Sequence, residues 1–509
     1  MRMKIFTTEQ IRAWDVFTIE REPVASVELM NRAARAFTEW FVRLYPDTEQ
    51  AVYILAGTGN NGGDGIAVAR LLHQRFYPVK VVVCAFGGKH SADFEAQIRL
   101  LPAHAALEVV WLDRASVQPE VPDKAVLIDA LFGTGLTRPL EGPWLPFIEW
   151  VNQLPHDVVA IDVPSGAPPV PPREQDLPAE AWPGVRATRT FSFEIPKLMF
   201  FFPEYAGRVG EWAFGAIGLH PDFARDTETP YEYLTKTDVK SLLKPRGRFA
   251  HKGTFGHALL INGSTGKMGA AVLAARACLR SGAGLLTVHI PEAGLNILQT
   301  AVPEAMCSPD PERQWSSTPA LEPYSAIGVG CGIGTGKWTT AALEKLLQEA
   351  WIPLVLDADA LNLLARHPKW LPHLPKNSIL TPHPKEFERL FGVCATSWER
   401  HALQRAKARE LGVFIVLKGA NTAIAAPDGS CWFNSTGNPG MATGGSGDVL
   451  TGVITGLLAQ GYSARDACLL GVYLHGLAGD LAAARWSQPG MTAGDIVEHL
   501  GQAWLALEG

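Results

Sequence analysis

Residues 438–448 read Asn-Pro-Gly-Met-Ala-Thr-Gly-Gly-Ser-Gly-Asp, and the apolar, glycine-bearing segment 449–458 follows them directly. A glycine-rich turn at the start of a buried helix points several backbone amides at one place, where an anion is stabilised. Asp448 comes just after the turn, in position to take a proton from a hydroxyl group. A plain packing turn is the alternative. It would leave the Asp448 carboxylate, which repels a bound anion, without a purpose beside the turn. We therefore predict a phosphoryl-transfer site at this loop.

Short apolar runs, each followed by glycine or polar residues and then by a helix-like segment, recur along both halves of the chain. The strand candidates are 51–56, 79–85, 125–129 and 158–161 in the first half, and 257–262, 284–290, 326–330, 353–357, 378–381 and 413–418 in the second. Continuously apolar strands alternating with helices are typical of parallel sheets covered on both faces. The pattern predicts an α/β fold with two three-layer α/β/α domains.

The length of 509 residues exceeds what one hydrophobic core usually supports, so we expect two domains. We place them at residues 1–220 and 253–509, joined by a linker and lead-in segment at 221–252 that mixes proline with charged residues around a helix-like stretch at 237–243. The proline-rich patch 164–183 is interpreted as a surface excursion, because strand and glycine-turn signals resume at 188–210.

Composition excludes several classes of function. A net charge of -6 leaves no basic stripe for a phosphate backbone, so no nucleic-acid partner is expected. The seven cysteines are scattered and never form a C-x-x-C pair, which predicts neither a disulfide framework nor a zinc site. The N-terminus does not read as a signal peptide, and the most hydrophobic short stretch, 198–203, is too short for a membrane helix. We expect a cytoplasmic protein without a membrane partner that forms a homo-oligomer.

Three loops of the first half follow predicted strands. Residues 57–65 read Gly-Thr-Gly-Asn-Asn-Gly-Gly-Asp-Gly before a helix-like segment at 66–73, residues 129–136 read Asp-Ala-Leu-Phe-Gly-Thr-Gly-Leu, and residues 161–166 read Ile-Asp-Val-Pro-Ser-Gly. The first has the backbone pattern of a phosphate or dinucleotide cradle. A tight turn between strand and helix is the plainer interpretation of glycine alone. The two asparagines and the aspartate packed among the glycines favour a ligand site.

Loops at the carboxyl ends of parallel strands converge on one crevice, so Asn61, Asp129, Asp162 and Ser165 are expected to meet there. Their oxygen atoms suit a hard, weakly charged cation better than zinc, which prefers imidazole and thiolate. Taken singly, each aspartate is more simply a cap or turn residue.

The motifs N-N-G-G-D-G, D-A-L-F-G-T-G-L, A-I-D-V-P-S-G and F-P-E-Y-A-G, in that order, resemble those of the NAD(P)H-hydrate epimerase family over about residues 1–215. The resemblance implies a Rossmann-like fold and a potassium ion held by Asn61, Asp129 and Ser165. It also implies substrate contacts from Asn60, Asn61, Gly62, Gly63, Asp64, Gly133, Thr134, Gly135, Leu136, Thr137, Arg138, Pro139 and Asp162. The proline-rich stretch after Gly166 departs from the family's pattern.

The implied reaction needs an acid/base group. The hydrate carries a hydroxyl on C6 beside the ring nitrogen, whose lone pair expels the hydroxyl and leaves an iminium that water attacks from either face. We predict Asp162 as the acid/base at that hydroxyl, because a carboxylate partly withdrawn from water carries a proton near neutral pH.

The loop at 438–448 is similar to the anion hole of the ribokinase-like superfamily, which implies that fold for the second half. Further motifs are Lys-Gly-Thr-Phe-Gly at 252–256, Gly-Ala-Ala at 269–271, Ser-Gly-Ala-Gly at 281–284, Leu-Asp-Ala-Asp-Ala-Leu-Asn at 356–362, Leu-Thr-Pro-His-Pro at 380–384 and Val-Leu-Lys-Gly-Ala-Asn-Thr at 416–422. In order, they resemble the ADP-dependent NAD(P)H-hydrate dehydratase family over about residues 230–509.

This second resemblance implies two ligand sets. The adenine nucleotide is expected at Lys418, Gly419, Ala420, Asn421, Thr422, Gly445, Ser446 and Gly447, and the hydrate at Ala270, Gly332, Gly334, His383 and Asp448. His383 alone reads as a capped loop histidine, and its place in Thr-Pro-His-Pro favours the ligand role instead. The neighbouring Lys385 and Glu386 are interpreted as solvated surface.

The implied chemistry is phosphorylation of the 6-hydroxyl of NADHX or NADPHX by ADP, with Asp448 as base and magnesium neutralising the diphosphate. Loss of phosphate and of a C5 proton then regenerates NAD(P)H, with AMP and phosphate as the other products. The alternative is a ribokinase-like small-molecule kinase with a non-catalytic N-terminal nucleotide-binding module. A Rossmann oxidoreductase fits poorly, because Gly-Thr-Gly-Asn-Asn-Gly is not G-x-G-x-x-G with an acidic residue about twenty positions on.

Overall fold

The computed structural model describes residues 2–87, 89–101, 107–115, 117–136, 138–168, 170 and 182–509. Most of the proline-rich segment, at 171–181, lies outside the described residues, and so does Thr137. The chain forms two compact units, one of Lys4–Thr229 and the other of Met1–Met3 with Pro230–Gly509.

The first unit is built on a parallel sheet with helices on both faces. The first strand of the chain, β1 (Met3–Lys4), belongs to the sheet of the second unit. The strands of the first unit are β2 (Val52–Ala56), β3 (Val79–Cys84), β4 (Glu108–Leu112), β5 (Val126–Ala130), β6 (Val158–Ile161), β7 (Arg189–Phe193) and β8 (Glu211–Gly215). Its helices are α1 (Thr8–Arg21), α2 (Ser26–Leu44), α3 (Asn60–His73), α4 (Ala92–Arg99), α5 (Trp144–Gln153), α6 (Pro203–Val209) and α7 (Pro221–Asp226). Among the described residues the sheet order is β4-β3-β2-β5-β6-β7-β8, with every pairing parallel. Helices α2 and α3 cover one face and α5 the other.

The second unit has a larger, mixed sheet. Its further strands are β9 (Tyr231–Leu234), β10 (His257–Ile261), β11 (Leu285–Pro291), β12 (Met306–Asp310), β13 (Ala326–Val329), β14 (Leu354–Leu356), β15 (Ile379–Leu380), β16 (Phe414–Leu417), β17 (Ala423–Ala425) and β18 (Cys431–Asn434). Its helices are α8 (Lys236–Lys240), α9 (Met268–Arg280), α10 (Leu295–Ala301), α11 (Lys337–Glu349), α12 (Ala358–Arg366), α13 (Pro384–Phe391), α14 (Ser397–Leu411), α15 (Ser446–Ala459), α16 (Ala464–Trp486) and α17 (Ala493–Glu508). In the described part of the chain the order is β1-β9-β18-β17-β16-β15-β14-β13-β10-β11-β12. One core lies against α9 and α15–α17, and a second core lies against α11–α14.

This architecture confirms the predicted α/β fold and differs from the prediction at the boundary. Residues 221–252 are not a separate linker, because α7 belongs to the first unit and β9 pairs in parallel with β18 of the second. Buried Tyr231 and Leu234 anchor β9 in that sheet. The prediction also missed the antiparallel pairs that β17 forms with β16 and β18.

Each sheet reverses its strand order at one point, and the predicted sites lie there. In the first sheet β2 is flanked by β3 and β5, and in the second β10 is flanked by β11 and β13. The loops after such neighbouring strands diverge to opposite faces and leave a crevice at the carboxyl ends of the strands. The loops after β2, β5 and β6 therefore share one crevice, and those after β10, β13 and β14 share another.

Helix α15 packs closely on α9 through two glycines. A side chain at Gly452 would place its Cβ 2.1 Å from the Ala274 carbonyl oxygen, and one at Gly456 would place it 2.6 Å from the Cys278 oxygen. Gly452 and Gly456 of this helix thus serve contacts inside the unit. The neighbouring α16 is long and apolar enough to cross a membrane, and 67% of its most apolar window is buried within the protein.

Candidate active sites

Asp129 and Ser165 form the buried centre of the first site. Ser165 donates from Oγ to Asp129 Oδ1 at 2.5 Å and from its backbone N–H to Oδ2 at 2.8 Å. Both residues are 0% exposed. Burial raises the pKa of Asp129 to about 6, although its hydrogen bonds with Ser165 and Leu131 act in the opposite direction.

The third residue of the predicted potassium site, Asn61, is also buried. It lies beside Gly133 of the neighbouring loop, because a Cβ added at Gly133 would stand 3.5 Å from Asn61 Oδ1. Its Nδ2 has no hydrogen-bond partner among the described residues. Buried amide groups are nearly always hydrogen-bonded, and their oxygen and nitrogen are told apart only by those bonds. The side chain of Asn61 is therefore open to a ligand.

These three residues fit a monovalent cation. They supply a carboxylate, a hydroxyl and an amide oxygen, and Asp129 has no cationic partner within the described residues. A buried carboxylate without a counter-charge is costly, so a weakly charged hard cation would stabilise it. Clusters of three or more His, Cys, Asp or Glu suited to a metal are absent from the described residues.

Asp162 lies at the end of β6 and faces a lysine that the sequence did not single out. Lys197 Nζ stands 2.7 Å from Asp162 Oδ1, and the lysine is only 4% exposed. Lys197 also donates to Ser192 Oγ and to the Phe193 carbonyl, each at 3.0 Å. Asp162 adopts a left-handed backbone conformation with φ of 66°. The ammonium group therefore holds the carboxylate in one orientation at the mouth of the crevice.

Two further carboxyl groups surround Asp162. Burial raises the pKa of Asp64 well above its ordinary value, and the negative charges of Asp162 and Asp15 raise it further. Burial also raises the pKa of Asp15 to about 6, and Asp162 adds to that effect. Like charges brought together out of water favour the protonated form of some members of the cluster. Burial and mutual repulsion thus favour the protonated forms of Asp64 and Asp15 more than in an exposed carboxyl group.

The first glycine loop differs from the prediction in one respect. Helix α3 begins at Asn60, so the stretch from Asn60 to Asp64 forms its first turn instead of preceding it. Glycine permits this, because a Cβ at Gly62 would lie 1.8 Å from the Gly57 carbonyl oxygen. The second loop lies beside α1, where Arg12 donates to the Thr134 carbonyl at 3.2 Å. Of the predicted substrate contacts at 133–139, only Thr137 lies outside the described residues.

The second site is a cavity of ≈ 820 Å³ at the start of α15. Its lining includes the predicted residues His383, Lys418, Gly419, Ala420, Thr422, Gly445, Ser446, Gly447 and Asp448. Gly445 precedes α15 with φ of 96°, and a Cβ there would stand 2.6 Å from Leu273 Cδ1. Only glycine fits this conformation and space. The backbone of 445–447 therefore opens onto the cavity at the positive end of the helix.

Asp448 lies in the first turn of α15 and lines the cavity. Burial raises its pKa, a hydrogen bond with Cys331 lowers it, and the negative charge of Asp357 raises it again. The pKa of this carboxyl is higher than usual as a net result. A carboxylate whose pKa is raised toward neutrality is a stronger base than an exposed one.

Behind Asp448 lies an ion pair that the sequence predicted only in part. Lys418 Nζ stands 2.8 Å from Asp357 Oδ1, and Thr451 donates to Asp357 Oδ2 at 2.9 Å. Burial alone would lower the pKa of Lys418, but the charges of Asp357 and Glu386 outweigh burial and raise it. Lys418 was expected to hold nucleotide, whereas Asp357 and Thr451 were missed. The sequence feature that could have identified Asp357 is its position directly after an apolar strand.

His383 caps helix α13, and its interaction corrects the interpretation of Glu386. His383 Nδ1 accepts hydrogen bonds from the backbone of Lys385 and Glu386, and the Glu386 carboxylate accepts from the His383 backbone at 2.9 Å. Burial lowers the pKa of His383, against the opposing charge of Glu386. Glu386 is 7% exposed and not solvated surface, because the helix cap and Lys418 hold it inside, while Lys385 is exposed as expected.

The remaining predicted hydrate residues lie together beside Asp448. A Cβ at Gly332 would stand 3.3 Å from Ala270 Cβ, and Gly334 donates its N–H to Asp359 Oδ2 at 2.8 Å. Cys331, which precedes Gly332, hydrogen-bonds Asp448. His383 and Asp448 of the predicted hydrate set line the cavity together with the nucleotide set, whereas Ala270, Gly332 and Gly334 lie outside its lining. Asn421 is the one predicted nucleotide residue outside the lining of the cavity in the described part of the chain.

Comparisons with known proteins agree with both halves of the sequence. The family described as NAD(P)H-hydrate dehydratase matches residues 258–502, and the family described as YjeF-related protein N-terminus matches residues 26–199. The bifunctional NAD(P)H-hydrate repair enzyme Nnr of Moorella thermoacetica is 35% identical over 98% of this chain and 96% of its own. Its counterpart in Escherichia coli (strain K12) is 35% identical over 93% of this chain and 88% of its own.

A solved structure matches the second half. The ADP/ATP-dependent NAD(P)H-hydrate dehydratase from Bacillus subtilis, co-crystallised with ATP/Mg²⁺, is 35% identical and covers 54% of this chain and 98% of its own, with a TM-score of 0.49. The full-length relatives confirm the family resemblance that the motifs carried. The chain belongs to the family of bifunctional NAD(P)H-hydrate repair enzymes.

Proposed function

We propose that this protein repairs hydrated NADH and NADPH, with epimerisation of the R and S hydrates in the first unit and ADP-dependent dehydration of the S hydrate in the second. The observation that carries the proposal is the position of Asp448. Asp448 lines the same cavity as residues 445–447, His383 and Lys418. A base beside an anion nest is the arrangement that phosphoryl transfer to a hydroxyl needs.

In the dehydration, Asp448 takes the proton of the 6-hydroxyl as its oxygen attacks the β-phosphorus of ADP, and AMP leaves. The amides of 445–447 stabilise the negative charge on the transferring group. The ring nitrogen then expels phosphate, and loss of the C5 proton gives NAD(P)H. The ion pair of Lys418 and Asp357 fixes a cationic group beside the nucleotide site, and Mg²⁺ enters with the ADP phosphates.

In the epimerisation, protons come to the 6-hydroxyl from the cluster around Asp162. Asp162 is oriented by Lys197 at 2.7 Å, and the raised pKa values of Asp64 and Asp15 make these two groups readier proton carriers than exposed carboxyl groups. Protonation of the hydroxyl lets the ring nitrogen expel water. Asp162 then takes a proton from the water that returns to either face.

We further propose that Asn61, Asp129 and Ser165 hold a potassium ion, which supplies fixed positive charge at the crevice for the substrate's phosphates. We place the protein in the cytoplasm as a homo-oligomer. All seven cysteines are free, which fits a reducing compartment.

The first experiment tests the dehydratase. The purified chain is incubated with S-NADHX, MgCl₂ and ADP, and the absorbance of reduced nicotinamide is followed together with AMP release. We expect recovery of NADH with one AMP per NADH, and loss of recovery in Asp448→Asn. A stable phosphorylated product without NADH would favour the kinase alternative, and no recovery would overturn the assignment.

The second experiment tests the epimerase. R-NADHX free of the S hydrate is given, with MgCl₂ and ADP, to the wild type, to Asp162→Asn and to Asp448→Asn. S-NADHX is given to the same proteins in parallel. We expect Asp162→Asn to slow repair of the R hydrate to the spontaneous epimerisation rate while repair of the S hydrate is retained. Unchanged repair of the R hydrate would reject Asp162 as the acid/base and would favour a non-catalytic first unit.

A further inference from the structure

A second cavity, of ≈ 530 Å³, borders the catalytic one at the same edge of the large sheet. It is lined by Thr335, Asp359, Asn362, Ala365, Arg366 and Arg389. The two cavities share their supporting helices. Helix α12 places Ala358 in the catalytic cavity and Asp359 in this one, and α13 begins after His383 and carries Arg389. Among the described residues the two cavities share no lining residue, and they are linked through the adjacent residues Ala358 and Asp359 of α12.

The two arginines of this cavity make few bonds. Arg389 Nη1 donates to Asn362 Oδ1 at 2.8 Å, and Arg366 Nη1 donates to the Thr335 carbonyl at 3.3 Å. Both acceptors are neutral, and over the described ranges neither arginine forms a salt bridge. A guanidinium has five N–H donors, so each retains donors directed to solvent or to a ligand.

The carboxylate of the cavity is already matched. Asp359 Oδ2 accepts from the Gly334 N–H at 2.8 Å and lies 3.5 Å from Lys267 Nζ. The charge that remains uncompensated in the lining is therefore positive. Two guanidinium groups with unmatched charge form a geometry that favours phosphate, which accepts paired N–H donors.

The hydrated dinucleotide brings phosphates to this place. Gly334 is one of the residues predicted to contact the hydrate. Its backbone N–H donates a hydrogen bond to Asp359, which lines the second cavity. The phosphates of ADP have their own nest at 445–447, in the other cavity beside Asp448. The diphosphate of the hydrate is a second anionic group, and a cationic site of its own would stabilise it.

We propose that Arg366 and Arg389 bind phosphate of the hydrated dinucleotide and so set its affinity. This inference rests on the proposed function. The phosphate is either the diphosphate bridge, which NADHX and NADPHX share, or the 2′-phosphate, which NADPHX alone carries. In both cases the arginines act on binding of the hydrate and not on the chemical step.

The test uses the full chain with Arg366→Gln and Arg389→Gln combined. Steady-state rates are measured with S-NADHX and S-NADPHX at saturating Mg-ADP. We expect KM for the hydrate to rise about tenfold, the scale of a lost charge-assisted contact, with kcat and KM for ADP unchanged. A rise for both hydrates assigns the diphosphate, and a rise for NADPHX alone assigns the 2′-phosphate. Lys369→Gln, an exposed cation outside the cavity lining, is the matched control and leaves both KM values unchanged.

Unchanged KM for both hydrates, or an equal rise in KM for ADP, would overturn the inference. Calorimetric binding of NADPH to the nucleotide-free chain separates it from the proposed function, because this readout needs no turnover. A wild type that binds NADPH but repairs no hydrate, with weaker binding in the double variant, would sink the function and keep the phosphate site. A wild type that repairs the hydrates, with NADPH binding unchanged in the double variant, would keep the proposed function and overturn the phosphate site.

Discussion

Asp357 has both carboxylate oxygens occupied in the interior of the second unit. Its donors are Lys418, Thr451 and the Ala358 N–H, and it is 1% exposed. Removing one member of a buried ion pair leaves the other charge without compensation, which costs more than the pair itself contributes.

We therefore expect Lys418→Met to lower the free energy of unfolding by about 3 kcal/mol. Urea denaturation measures the loss. The double variant Lys418→Met with Asp357→Asn removes both charges and recovers part of it. A loss in the single variant below about 0.5 kcal/mol, the size of a surface substitution, contradicts the buried pair.

Asp15 gives a prediction about pH. Its pKa in the folded state, about 6, lies above the ordinary 3.8. The folded state therefore favours the protonated group, and this stabilisation is complete below the ordinary pKa and is lost as pH rises through about 6. Between pH 4 and pH 7 we expect the free energy of unfolding of Asp15→Asn to rise by about 1–2 kcal/mol relative to that of the wild type. This figure allows for solvent screening. Denaturant titrations across that range, with exposed Glu9→Gln of the same helix as control, measure the difference. Parallel pH profiles for wild type and variant would refute it.

The residues that sequence reasoning found and missed differ in their local signals. Asp162 was found because it directly follows an apolar strand, and Asp448 because it follows a glycine-rich turn at the start of a helix. Lys197 does not directly follow an apolar strand, and its importance comes from a partner 35 residues earlier in the chain, Asp162. Glu386 was misread because a charged residue in a loop is usually solvated. Pairings between distant segments are invisible to local pattern.

At the scale of elements, α15 makes a prediction about packing. Gly452→Ala forces a methyl group against the Ala274 carbonyl oxygen, which would lie 2.1 Å from the added Cβ. We expect it to destabilise the protein by about 2 kcal/mol, because the backbone of α9 has to move. Gly501→Ala in α17 is the matched control, since its added Cβ meets nothing within 4 Å and is expected to stabilise the helix by about 0.5 kcal/mol. Thermal unfolding followed by circular dichroism compares the two, and equal melting temperatures would contradict the close contact.

Central strands were predictable and edge strands were not. The buried strands β2, β3, β5, β6, β10 and β13 were placed within a residue or so because they are continuously apolar. Strands β4 and β8 lie at the edges of their sheet and mix exposed with half-buried residues, which weakens the apolar signal. Helix α3 started earlier than predicted because its glycines read as a turn.

At the scale of the whole molecule, two units with separate ligands predict separate protection. Hydrogen exchange is measured on the full chain with and without Mg-ADP and potassium. We expect Mg-ADP to slow exchange in the 445–459 region and potassium to slow it around Asn61 and Ser165, because a ligand that binds only the folded state stabilises the elements that hold it. Sodium in place of potassium is the control. Protection of both regions by ADP alone would contradict local binding.

The number of domains and their fold class followed from chain length and strand pattern, whereas the boundary did not. The division falls between Thr229 and Pro230, where the sequence offers proline and charge but no change of composition. Membership of β9 in the second sheet depends on its pairing with β18, which is nearly the whole second unit away along the chain. Such long-range pairing cannot be read from a window of residues.

The left-handed backbone at Asp162 has an evolutionary consequence. Glycine adopts that conformation more readily than aspartate does, so replacing this residue by glycine relieves strain at the same moment as it removes the carboxyl group. The same replacement leaves the buried ammonium group of Lys197 without its counter-charge, so the relief of strain is offset by an uncompensated charge. A copy of the gene released from the need to recycle one hydrate epimer would therefore be expected to lose Asp162 and Lys197 together, the acid to glycine and the lysine to an uncharged residue.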